Sequence, residues 1–100
     1  PAALGYAQQA HALSPDDSGF ADTLAQILIE TGDLARGLEL LQKAVAGAPS
    51  NPEIRFHLAE ALAKSGDKAK AIDQLQIAIG SGSKFSQNAE AVALLKQLRQ

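Results

Sequence analysis

The chain has 100 residues, enough for one small domain with a modest core, and carries a net charge of −2 with three Phe, one Tyr and no Trp. With Lys and Arg unclustered and so few rings, it encodes neither a surface that tracks phosphates nor a platform for stacking bases, so no nucleic-acid partner is expected. The absence of Cys excludes disulfides and thiolate chemistry and is compatible with cytoplasm or periplasm.

From Ala2 to Leu13 the residues Ala3, Leu4, Ala7, Ala10 and Leu13 fall at near-helical spacing and predict a helix with one narrow packing stripe, ended by Ser14-Pro15. Asp16, Asp17 and Ser18 offer oxygens for the next helix start, which runs to about Thr31 with Phe20, Leu24, Ile27 and Leu28 on one side. Gly32 suits the left-handed conformation that ends a helix, and Asp33 caps a return helix over about Leu34 to Ala46. That helix turns Leu38, Leu41 and Val45 inward and Glu39, Gln42 and Lys43 outward, and Gly47 and Pro49 stop it. Asn51 as cap and Pro52 at the first helical position open another helix with Ile54, Leu58, Ala61 and Leu62 as its inner stripe. Gly66-Asp67 turns the chain into a helix from Lys68 to about Ile79 that buries Ala71, Ile72, Leu75, Ala78 and Ile79, and Gly80-Ser81-Gly82-Ser83 breaks the pattern. A last helix from about Ser86 to Arg99 carries Ala89, Val92, Leu95 and Leu98 inward, with Lys96 and Arg99 near its negative end.

The Gly-Asp pair at Gly32-Asp33 returns 34 residues later at Gly66-Asp67, a period that marks a helical-hairpin repeat. Laying 18–51 over 52–85 pairs Leu24 with Leu58, Ala25 with Ala59, Leu28 with Leu62, Ala35 with Ala69, Leu41 with Leu75, Gln42 with Gln76 and Ala44 with Ala78. Pro15 and Pro49 share the same spacing, so a partial copy precedes Asp16. The expected fold class is all-α: an α-solenoid of antiparallel helical hairpins, about six helices in a single domain. Residues 1–15 read as the second helix of a truncated repeat, 18–51 and 52–85 as two repeats, and 86–100 as the capping helix that the last apolar face of a solenoid needs.

No apolar run approaches the roughly 18 residues that read as a spanning segment, so no direct membrane insertion is expected. Met is absent even at position 1 and the chain opens inside a helical pattern, which reads as a fragment whose targeting signal lies upstream. Without the helix that would precede it, the first helix leaves Leu4, Ala7 and Tyr6 partly exposed, an edge that invites self-association.

The 34-residue period, the small residues Ala25, Ala59, Ala44, Ala71 and Ala78, the Gly-Asp turn and the inter-repeat Pro resemble the tetratricopeptide repeat across nearly the whole chain. The resemblance implies a right-handed superhelix. Departures are Ala21 and Arg55 at the place of an early aromatic, Gly37 at the place of a small alanine, and Ser83 for the closing proline. The run DTLAQILIETGDLARGLELLQKAVAGAPSNPEIRFHLAEALA from Asp22 to Ala63, followed by AEAVALLKQL, further resembles the C-terminal end of tetratricopeptide lipoproteins that accompany PEP-CTERM/exosortase export and exopolysaccharide loci in Gram-negative bacteria. That resemblance implies a periplasmic or outer-membrane-anchored scaffold in polysaccharide or protein export, and without it a cytoplasmic setting stands equally open.

Catalytic chemistry finds no foothold. His11 and His57 are single helical histidines, Glu60 three residues after His57 makes only one pair, and Asp16-Asp17 sits where a helix cap belongs, so neither a metal site nor a catalytic residue is expected. The serines cluster at helix ends, and Gly80 and Gly82 lack the Lys or glycine pattern of a phosphate loop, so no enzyme activity and no cofactor are expected. In tetratricopeptide arrays the first helix of each hairpin lines the concave groove, and the resemblance therefore points at Asp22, Gln26, Ile29 and Glu30 from one repeat and Phe56, His57, Glu60 and Lys64 from the next as partner-binding residues. Phe56 reads either as an exposed anchor for a peptide or as a ring packed between hairpins. The groove has no Lys/Asn constellation, which argues against the carboxylate-clamp type that grips acidic C-terminal peptides. The expected function is a non-catalytic scaffold binding a protein or peptide segment, and the alternative is a structural cap for a longer array whose binding surface lies upstream.

Overall fold

The computed structural model describes residues 2–81 and 85–100, apart from the side chain of Ala2. Among the described residues six helices follow in order: α1 (Ala2–Leu13), α2 (Ser18–Glu30), α3 (Leu34–Gly47), α4 (Pro52–Lys64), α5 (Lys68–Gly80) and α6 (Asn88–Leu98). Among the described residues there is no strand.

The two Gly-Asp turns explain why the chain folds back where it does. Gly32 and Gly66 adopt φ of +100° and +90°, a region that a side chain disfavours. This reversal lets the Asp33 N–H donate to Leu28 O at 2.7 Å and the Asp67 N–H to Leu62 O at 2.9 Å, so each helix ends with its last carbonyls satisfied. The same aspartates then cap the helices that follow, accepting from the Arg36 and Lys70 N–H groups at 3.3 and 3.2 Å. One residue therefore finishes one helix and starts the next. Asp17 caps α2 through the Phe20 N–H, and Asn51 caps α4 through the N–H groups of Glu53 and Ile54.

Helices α2 and α3 pack on each other as one hairpin and α4 and α5 as the next; α1 packs on α2, α3 on α4, α5 on α6, and α2 also touches α4. The main packing of the described helices is thus between near neighbours in sequence, as a solenoid requires, over extents of 38 × 27 × 20 Å. The first core cluster joins Ala21, Ala25, Leu41 and Ala44 to Ile54, Leu58, Ala61, Leu62 and Ala71, so the two hairpins share one interior. A second cluster closes the far end with Phe56, Ala59, Leu75, Ala78, Phe85 and Ala91. A third seats Ala7 of α1 against Leu24 and Leu28.

Small residues set the close approaches. Gly37 is buried, and a Cβ there would stand 2.4 Å from Ile29 Cγ1 and 3.0 Å from the Ala25 carbonyl oxygen. The equivalent pair one repeat later is Ala63 and Ala71, so the bulk that Ile29 adds is matched by what Gly37 omits.

Several expected faces differ. Phe20 is 41% exposed, because the packing side of α2 is centred on Ala21, Leu24, Ala25 and Leu28, where small side chains admit a neighbouring helix, and Leu13, at the end of α1, is 85% exposed and lies outside the cluster that holds Leu4 and Ala7. Of the residues expected to be partly exposed on α1, Tyr6 is 72% exposed and Leu4 half-buried, whereas Ala7 is buried against Leu24 and Leu28. Helix α6 begins at Asn88 rather than Ser86, is preceded by Gln87 with no side-chain cap, and buries Ala91 instead of Ala89. Arg99 lies just beyond its end. Gly82 and Ser83, named for the break after α5, lie outside the described residues.

Candidate partner-binding groove

Helices α2 and α4 are the first helices of successive hairpins, and where they run side by side they leave a cavity of about 240 Å³. Gln26, Ile29 and Glu30 of α2 face His57, Glu60, Ala61 and Lys64 of α4 across it. Six of the eight expected partner-binding residues meet here, and Asp22 stands directly behind them through His57.

The Asp22 carboxylate brings both oxygens to 3.0 Å from His57 Nδ1, joining one repeat to the next. Both side chains are largely buried, at 14% and 12% exposed. Gln26 Nε2 donates to Asp22 Oδ1 at 3.3 Å and lies equally close to His57 Nδ1. A carboxylate on Nδ1 selects the tautomer that carries its proton there, so the Gln26 approach to Nδ1 is a contact and not a second hydrogen bond. Since no buried side-chain nitrogen or oxygen among the described residues lacks a partner, Nε2, which no hydrogen bond takes, keeps access to solvent.

The electrostatics follow from this placement. Burial disfavours the His57 cation, but the hydrogen bond and charge of Asp22, with Glu60 and Glu53, more than offset it and hold the pKa above 6.5. Glu60 is exposed yet stands on a concave wall; partial desolvation raises its pKa above 4.5 against the pull of His57 and Lys64, and Glu90 of α6 raises it further. Among the described residues, no ion pair within 4.0 Å holds Glu30, Glu60 or Lys64.

Phe56 corrects one expectation. It is 2% exposed and packs with Phe85, ring centroids 6.4 Å apart, among Ala59, Leu75, Ala78 and Ala91. Position 56 points to the junction of α4, α5 and α6 rather than into the groove, so its ring joins the packing of hairpin to capping helix and is unavailable as an anchor. Sequence reasoning misses Phe85 and Ala61: Phe85 lies outside the helical periodicity, and Ala61 falls in the inner apolar stripe of α4, so it reads as core alone although it also lines the cavity. The Asp22–His57 contact had a signal, since their separation of 35 is the repeat period plus one.

The remaining candidates stay apart from this groove. Asp17 serves as the α2 cap, and His11 and Asp16 line a separate cavity of about 280 Å³ between α1, α2 and α3. Among the described residues no group of three or more His, Asp or Glu could hold a metal ion, and no helix is long and apolar enough to cross a membrane.

Comparison with known proteins bears on the fold. Comparison with curated proteins finds no match. Among solved structures, the type III secretion translocator chaperone SycD of Yersinia enterocolitica superposes with a TM-score of 0.85 at 19% identity, covering 96% of this chain and 69% of SycD. PcrH in complex with the chaperone binding region of PopD gives 0.83 at 19%, with 96% and 75% covered, and MamA gives 0.81 at 22%, with 95% and 54% covered. At these identities the likeness is one of fold. A tetratricopeptide repeat family pattern matches residues 23–84, which takes in most of both hairpins and both Gly-Asp turns, and the chain belongs to the tetratricopeptide repeat family.

Proposed function

We propose that this chain is a non-catalytic interaction scaffold that binds a protein or peptide segment in the groove between α2 and α4, with 18–51 and 52–85 as its two repeats. The observation that carries the reading is the cavity itself: polar and charged side chains from two hairpins converge on it, and the Asp22–His57–Gln26 network fixes its wall. A rigid, preformed wall lowers the ordering cost of binding, which is how a small groove holds a segment with few anchors. Two solved neighbours support it by analogy, since SycD is known in complex with a peptide of the translocator YopD and PcrH with the chaperone binding region of PopD.

The wider setting we propose is the one the lipoprotein resemblance implies, a scaffold within a polysaccharide or protein export system. A second reading, a structural cap for a longer array, is favoured by α6, which covers the open side of α5 and buries Ala91 completely. Affinity capture from extracts of the source organism separates the two. The scaffold reading expects a partner that is retained by the wild-type chain and by Glu39→Lys on the outer face of α3, and lost on Glu60→Lys. A partner retained equally by all three would leave the groove without a role and favour the cap.

A further inference from the structure

The proposed binding groove has a charge that depends on one proton. Three carboxylates, Asp22, Glu30 and Glu60, face one ammonium, Lys64, so the groove stands at −2 while His57 is neutral and at −1 once it is charged. Glu53 lies close enough on α4, and Glu90 on α6, to add negative potential at His57 and Glu60 respectively. Among the described residues, no Arg and no second Lys lines the cavity.

Building on the groove reading, we propose that the occupant is a basic segment, one presenting Lys or Arg side chains to Glu30 and Glu60, and that its binding expels the proton of His57. Three features of the geometry join in this. Asp22 takes His57 Nδ1, so the second proton can only reside on Nε2, the nitrogen that keeps access to solvent on a residue that lines the groove. Glu30 and Glu60 are held by no ion pair among the described residues, so a ligand cation gains their attraction without first breaking one. Lys64 sits at the same cavity and repels a cation unless Glu60, one helical turn before it, screens it.

The linkage is reciprocal. A cation in the groove disfavours the imidazolium, so occupancy lowers the His57 pKa, and raising the pH through that pKa tightens binding. A unit charge about 7 Å from a ligand cation, at an effective dielectric constant near 40, changes affinity roughly tenfold. A segment carrying carboxylates would show the opposite slope, and an uncharged one almost none.

The test uses the whole chain, isotopically labelled, titrated by NMR with three amidated twelve-residue peptides of equal apolar content carrying three Lys, three Glu or three Gln. The expected result is that the Lys peptide shifts the amides of Gln26, Glu30, Glu60 and Lys64, binds roughly tenfold tighter at pH 8.5 than at pH 6, and lowers the pKa read from the His57 ring carbons. His57→Gln should bind the Lys peptide with a flat pH profile. Asp22→Asn, which keeps the shape of the pair, should move the midpoint of the profile to lower pH. A pH slope that persists in His57→Gln assigns the proton elsewhere and overturns the linkage. Stronger binding of the Glu or Gln peptide at the same amides overturns the basic-segment inference while leaving the groove reading intact. Absence of groove shifts with all three peptides overturns both.

Discussion

The pairing of Ile29 with Gly37 makes a quantitative prediction because two opposing effects meet at one position. Placing alanine at Gly37 improves the helix interior by about 0.5–1 kcal/mol. Its Cβ, however, would stand 2.4 Å from Ile29 Cγ1 and 2.9 Å from Cδ1, against a favourable carbon–carbon separation of about 3.5–4.0 Å. Ile29 must therefore move by more than about 1 Å, and a β-branched side chain in a helix has essentially one good χ1 rotamer to occupy. The other neighbour, the Ala25 carbonyl oxygen at 3.0 Å, is backbone and yields little. Overpacking of this kind costs about 1–3 kcal/mol, so Gly37→Ala is expected to lose about 1–2 kcal/mol net. In an Ile29→Ala background, which recreates the Ala63 and Ala71 pair of the next repeat, the side-chain clash is gone and only the Ala25 carbonyl contact opposes the helix gain, so the same change should instead be neutral to stabilising by about 0.5 kcal/mol. Urea unfolding of the four proteins, followed by circular dichroism, gives the coupling energy, expected near 2 kcal/mol. Additive effects, with Gly37→Ala stabilising in both backgrounds, would refute the steric argument.

The Asp22–His57 pair should stabilise the fold in a pH-dependent way. Its folded pKa lies above the unfolded value of 6.5, so the pair's contribution is full below about pH 6.5 and fades as pH rises through the folded value. Asp22→Asn should therefore cost about 1–2 kcal/mol near pH 6 and less at pH 8.5, and a thermal-melt difference that grew with pH would contradict this. Asp33→Ala and Asp67→Ala should each cost about 1 kcal/mol in denaturant unfolding, as lost helix caps, and equal stability to wild type would show the cap bonds to be idle. Phe56→Ala should cost about 3–5 kcal/mol, and a variant of near-wild-type stability by the same measurement would contradict its burial against Phe85.

Where local chemistry decides structure, the sequence was readable. The Gly-Asp turns require a left-handed residue followed by a capping oxygen, and both features are visible without neighbours, so the hairpins and their period emerge from the letters alone. Helix faces were harder. Helical spacing groups Phe20 with Leu24, Ile27 and Leu28, but two helices approach closely only over small residues, and Ala21 and Ala25 take the interface. Phe56 sits at the boundary between the inner and outer stripes of α4, and its burial depends on Phe85, contributed by a segment with no helical periodicity. The groove residues come from the tetratricopeptide resemblance, in which the first helix of each hairpin lines the concave groove, whereas the Asp22–His57 bond needs the register between helices, which only the one-residue offset from the period suggests. For α6, helical spacing alone suggests a start near Ser86 and an inward Ala89, whereas the packing of Ala91 against the second cluster sets the rotation of the helix.

Because Asp33 and Asp67 each end one helix and begin the next, neither helix of a hairpin can fray at that turn without withdrawing a bond from the other. The smallest cooperative unit is then a pair of helices, and partial opening under a pulling force or in native-state hydrogen exchange should proceed by whole hairpins, with α1 and α6 loosening before either. A hairpin that opens as a block takes one complete wall of the groove with it, so an array built from such blocks would lose its ligand in a single step rather than by gradual weakening.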